Sequence, residues 1–107
     1  MTEQTTDDLY THIKAPTAHH TYYVCAEVKA REDWNTKRIE IEGRLGIAPN
    51  NTTMIEYPIH VWISGYFKKA EVKRLVGRVK HRLLAEMKAI GYSTNDLTEP
   101  LEVSLGR

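Results

Sequence analysis

Residues 68–90, KKAEVKRLVGRVKHRLLAEMKAI, decide the fold. Val72, Val76, Val79, Leu83, Met87 and Ile90 recur at steps of four, three, four, four and three, which keeps them on one stripe of an α-helix. The opposite side carries Lys73, Arg74, Arg78, His81, Arg82 and Lys88, with Gly77 among them. The stretch holds eight of the chain's 15 Lys and Arg residues but only two of its 14 acids, Glu71 and Glu86. A chain of net charge +1 has therefore placed its positive charge on one helix, and the remainder is net negative.

Before this helix come three alternating segments. In residues 54–67, Ile55, Tyr57, Ile59, Val61, Ile63 and Phe67 alternate with Glu56, Pro58, His60, Trp62, Ser64 and Tyr66, the period of a strand. Pro58 cannot donate to a ladder, so it predicts a sheet edge or a bulge. Residues 37–47 direct Ile39, Ile41, Leu45 and Ile47 inward and Arg38, Glu40, Glu42 and Arg44 outward. Residues 20–30 set Tyr22, Val24, Ala26 and Val28 against Tyr23, Cys25, Glu27 and Lys29. The polar connection 31–36 joins these two as a hairpin, and the Pro/Asn/Thr segment 48–53 is a loop. After the helix, Gly91 suits the C′ position, and Leu101, Val103 and Leu105 give a short last strand. At the other end, residues 7–13 predict a short helix, with Thr6 or Asp7 as cap, Leu9 and Ile13 on one face and Pro16 closing it.

The expected architecture is α+β: a small, mainly antiparallel sheet of order β-β-β-α-β, one long amphipathic helix packed on one face, and a short N-terminal helix. Residues 1–8 read as a flexible acidic tail and residues 9–107 as a single domain. One helix covers one face of the sheet. The other face would show Tyr23, Cys25, Glu27, Lys29, Arg38, Glu40, Glu42, Arg44, His60, Trp62 and Tyr66, and an exposed Trp62 beside His60 and Tyr66 calls for a cover. The N-terminal segment, a second copy or a ligand would each serve.

Composition bounds the function. With 107 residues, 41% hydrophobic and 27% charged, the chain fits one globular domain. A single cysteine, Cys25, excludes an intrachain disulfide and a cysteine-based zinc cage. The polar, acidic start is not a secretory signal and no apolar run is long enough to span a bilayer, so the expected location is the cytoplasm. The overlapping sequons at Asn50 and Asn51 then carry no weight.

Two surfaces are candidates for binding. Lys73, Arg74, Arg78, His81, Arg82 and Lys88 would track the phosphates of a nucleic acid or meet an acidic protein surface. Tyr23, His60, Trp62 and Tyr66 would form a protein interface, including that of a homodimer. As a stacking platform for single-stranded bases the same face is opposed by Glu27, Glu40, Glu42 and Glu56, which repel phosphate. His12, His19 and His20 lie near Asp7 and Asp8 at spacings that match no zinc signature. Cys25 would need a histidine within reach to act as nucleophile, and His60 sits two strands away in a meander. Gly43 and Gly46 lie at the end of a strand that no helix follows, so they form no phosphate loop. The chain is expected to need no metal or cofactor and to bind no small-molecule substrate.

The α-β-β-β-α order, with Lys68 and Lys69 opening the last helix, resembles a double-stranded-RNA-binding domain in topology. Leu75, Val76, Leu83 and Leu84 stand where that family has alanines, and the strand after the helix is foreign to it. The sequence is thus read as that of a small non-enzymatic binding protein whose basic helix contacts a polyanion, nucleic acid first. The alternative is an assembly module that self-associates through the open sheet face. Either role would suit a phage or mobile-element accessory protein.

Overall fold

The computed structural model describes residues 9–14, 21–33, 35–49 and 54–105, apart from the side chain of Tyr22. The expected acidic tail, His19, His20 and residues 50–53 of the expected 48–53 loop lie outside these residues, while Ala48 and Pro49 of that loop belong to a strand. The chain forms β1 (Tyr10–Ile13), β2 (Thr21–Glu32), β3 (Ile39–Pro49), β4 (Glu56–Gly65), the helix α1 (Lys69–Ala89), a 3-10 turn at Thr94–Asp96, and β5 (Glu102–Leu105). One five-stranded sheet has the order β1-β4-β3-β2-β5. Its first three pairings are antiparallel; β5 runs parallel to β2.

The parallel pair has a simple cause. A 21-residue helix carries the chain back along the sheet, so β5 starts from the same end as β4 and takes its direction. The connection is fastened before β5 begins: Thr98 N–H donates to the Val24 carbonyl at 2.8 Å, and Val24 N–H donates to Thr98 Oγ1 at 3.0 Å.

The core lies between the sheet and α1. Val24, Ala26 and Val28 from β2, Ile39, Ile41, Leu45 and Ile47 from β3, and Ile59, Val61 and Ile63 from β4 are buried against Leu75, Val76, Val79, Leu83 and Met87. The helix ends in a Schellman motif. Gly91 has φ 97°, its N–H bonds to the Lys88 carbonyl, and Tyr92 N–H reaches the Met87 carbonyl at 2.8 Å. At the start, Glu71 Oε1 accepts from Lys68 N–H at 3.0 Å, closing the first turn.

Two expectations are corrected. The N-terminal segment is a strand, not a helix: Tyr10, Thr11, His12 and Ile13 pair with Trp62, Val61, His60 and Ile59. Aromatic and β-branched residues suit that state, and β4 offers a free row of backbone donors and acceptors. With a strand there and a fifth strand at the end, the order no longer matches a double-stranded-RNA-binding domain.

Of the two outcomes expected at Pro58, a sheet edge or a bulge, the structure has the bulge. β4 is an interior strand, and the proline is accommodated by a bulge: Leu45 pairs with Ile59, but Ile47 pairs with Glu56, leaving one extra residue on β4. Pro58 still contributes its carbonyl, which accepts from Lys14 N–H at 2.8 Å. The second correction follows from that bulge. The extra residue reverses the side-chain alternation, so Ile55 and Tyr57 leave the core face and lie over Gly46 on the open one.

Candidate functional site

The stripe of α1 that faces the sheet orients everything opposite it. Lys73, Arg74, His81, Arg82 and Lys88 are exposed, and Arg78 is half-buried on the flank nearest β1. Arg74, Gly77, Arg78, His81 and Arg82 line a shallow depression completed by Leu9. A Cβ added at Gly77 would meet nothing within 4 Å, so the space above it is open. The two acids of the helix are occupied: Glu71 lies 3.7 Å from Arg74, and Glu86 accepts from Arg82 Nε at 2.7 Å. These i,i+3 and i,i+4 pairs are solvent-exposed and weak. Lys80 is also exposed, a position the sequence reading passed over. Its spacing of seven residues from Lys73 puts it in nearly the same helical phase, which is the signal that would have found it.

On the open sheet face the register sets out two rows across the strands. Tyr10, Trp62, Glu42, Lys29 and Ser104 are neighbours in one; His12, His60, Arg44, Glu27 and Glu102 in the next. Trp62 is half-buried rather than bare: its ring stacks on Tyr10 at 5.7 Å and on His60 at 4.7 Å. The N-terminal segment, as β1, is therefore one cover of this face. His60 Nε2 donates to Glu42 at 3.1 Å, and Arg44 donates to Glu27. The Arg44 guanidinium also sits 5.0 Å from the Tyr57 ring centre. Partial burial works against the Arg44 charge, but the Glu27 hydrogen bond and the fields of Glu27 and Glu42 outweigh it and raise the pKa further.

Tyr23 and Tyr66 lie at opposite ends of this face, so the four aromatic residues expected at an interface do not form one cluster. Tyr66 lies under Arg38 at 5.6 Å, whereas Tyr23 neighbours Ala48, near Cys25 and Glu99. The neighbouring Cys25, by charge and hydrogen bond, together with desolvation and Glu99, pushes the Tyr23 hydroxyl up to about 12. Cys25 pairs with Gly46 and His60 with Arg44, on either side of β3; thiol and imidazole are not brought together. Among the described residues no group of three or more His, Cys, Asp or Glu is placed to hold a metal ion. Among the described residues no helix is long and apolar enough to cross a membrane.

No protein-family model, curated protein or solved structure matches this chain.

Proposed function

We propose that the outer face of α1 binds nucleic acid through phosphate contacts, with little direct readout of base sequence. The observation that carries this reading is the row of exposed cations from Lys73 to Lys88. It extends about 22 Å at 1.5 Å per residue, on a helix whose only two carboxylates are already bonded to Arg74 and Arg82. Neutralising phosphates with such a row releases condensed counterions, which supplies the binding free energy. Gly77 lets a sugar-phosphate backbone come close. Nothing along the face repeats a base-reading arrangement, so phosphate contacts would position the protein without specifying sequence. The reading is of a binding protein rather than an enzyme, since β3 separates the nucleophile candidate Cys25 from His60.

Fluorescence anisotropy with labelled duplex and single-stranded oligonucleotides at low and physiological salt tests it. Affinity for duplex should fall by about 0.9 log unit per log unit of salt for each phosphate neutralised. Lys73→Glu with Lys88→Glu should weaken binding about tenfold or more and flatten that slope by about 2. Stability should move by less than about 0.5 kcal/mol, because both residues are exposed. No binding at low salt, or unchanged affinity in the double variant, overturns the reading.

A further inference from the structure

We propose that the open sheet face is the interface of a two-fold symmetric homodimer, in which two copies stack face to face. The axis runs across the strands, between the Trp62–Glu42–Lys29 row and the His60–Arg44–Glu27 row. The argument is charge complementarity. On the two central strands the rows carry opposite signs: Glu42 then Arg44 on β3, Lys29 then Glu27 on β2. A two-fold rotation about a line between the rows lays each strand antiparallel over its own copy and exchanges the rows. Glu42 of one copy then meets Arg44 of the other, and Lys29 meets Glu27, each contact occurring twice. Trp62 comes over His60, and Tyr10 over His12, extending the stacks that already exist within one chain.

The same charges oppose sliding the copies toward Glu40. An axis through the first row sets Glu42 on Glu42 and Lys29 on Lys29. An axis further the same way, between Glu40 and Glu42, opposes those two acids and sets Arg31 against Lys29. Like charges brought together this way cost several kcal/mol at an interface.

β2, β3 and β4 covered over about eight residues, with the four-residue strands β1 and β5 beside them at about 4.8 Å spacing, present roughly 500 Å² per copy. Doubled, about 1,000 Å² suits a weak, concentration-dependent dimer. Aligned sheets cross at about −30°, which keeps the pairs nearest the axis in register and splays the rim. At that rim Arg31 and Glu40 pair within one chain at 2.8 Å. Tyr10, 49% exposed, supplies apolar area beside the charged centre. The proposal is independent of nucleic-acid binding, because α1 lies on the other side of the sheet.

Sedimentation velocity and light scattering across the micromolar range should show a concentration-dependent dimer for the natural sequence. Glu42→Arg and Arg44→Glu should each be monomeric, since each sets like charges against one another in a homodimer. Mixed in equal amounts they should pair, because one variant then presents two arginines to the two glutamates of the other. A monomeric natural chain, single variants that still dimerise, or a mixture that stays monomeric each overturns the proposal. If either variant fails to fold, carbodiimide cross-linking of mixed isotopically light and heavy natural chains decides. Lys29–Glu27 links joining light to heavy chain support the dimer, and links confined to one isotope refute it.

Discussion

Gly43 sits on the core face of β3, opposite Val28 and Val61, where α1 crosses the middle of the sheet. A Cβ built there would lie 3.1 Å from Val79 Cγ1 and 3.3 Å from Leu83 Cδ2. Both neighbours are buried, so neither can yield without disturbing the core. The glycine sets how closely the helix approaches. Gly43→Val should lower unfolding free energy by about 1–3 kcal/mol through overpacking, measured by urea denaturation. Adding Val79→Ala should recover part of that loss; if the single variant is as stable as the natural chain, the close approach is absent. Lys37 presents the opposite case. It closes the β2–β3 turn with φ 63°, its N–H bonded to the Asp33 carbonyl at 2.8 Å, while Asp33 Oδ1 accepts from the N–H groups of Asn35 and Thr36. A left-handed conformation costs a side-chain-bearing residue about 1–2 kcal/mol, and glycine adds about 0.5–1 kcal/mol of unfolded-state entropy. Lys37→Gly should therefore stabilise the fold by about 0.5 kcal/mol. A thermal midpoint that drops would contradict this.

Among the elements, β1 was the least legible. Leu9 and Ile13 are four apart, which fits one face of a helix, while Tyr10, Thr11 and Ile13 equally favour a strand. The choice is made by β4, distant in sequence, whose outer edge pairs with all four residues of β1. The stack of Tyr10 on Trp62 then ties β1 to the open face. Tyr10→Ala should destabilise the protein by about 1 kcal/mol and shift Trp62 emission to the red as water reaches the ring. A Trp34→Phe background isolates that signal. An unmoved spectrum would mean that β1 does not shield Trp62. The bulge in β4 shows a second limit of pattern reading. Pro58 signalled an irregularity, but counting by twos through it carried Ile55 and Tyr57 to the wrong side. One unpaired residue reverses every side chain beyond it.

For the whole molecule, α1 separates two surfaces of different character. One is an exposed row of cations; the other is a sheet face whose charges are paired and whose aromatics are stacked. In the proposed dimer the helices face outward from the two stacked sheets, with axes roughly 30 Å apart at about 10 Å per layer, so each copy's basic face stays open. The helix stripe, the hairpin, the Gly91 stop and nearly all of the core were determined by the sequence alone. Each rests on local periodicity or on a residue whose backbone preference is intrinsic: the 3.6 and 2.0 repeats and the left-handed tolerance of glycine. So was the basic face, since it lies opposite the apolar stripe. Tertiary structure alone decided that residues 10–13 become an edge strand, that β5 runs parallel beside β2, and that Glu42 and Lys29 align in one row next to Arg44 and Glu27. Those outcomes depend on which strands meet and in what register, and register is fixed by contacts between residues far apart in the chain.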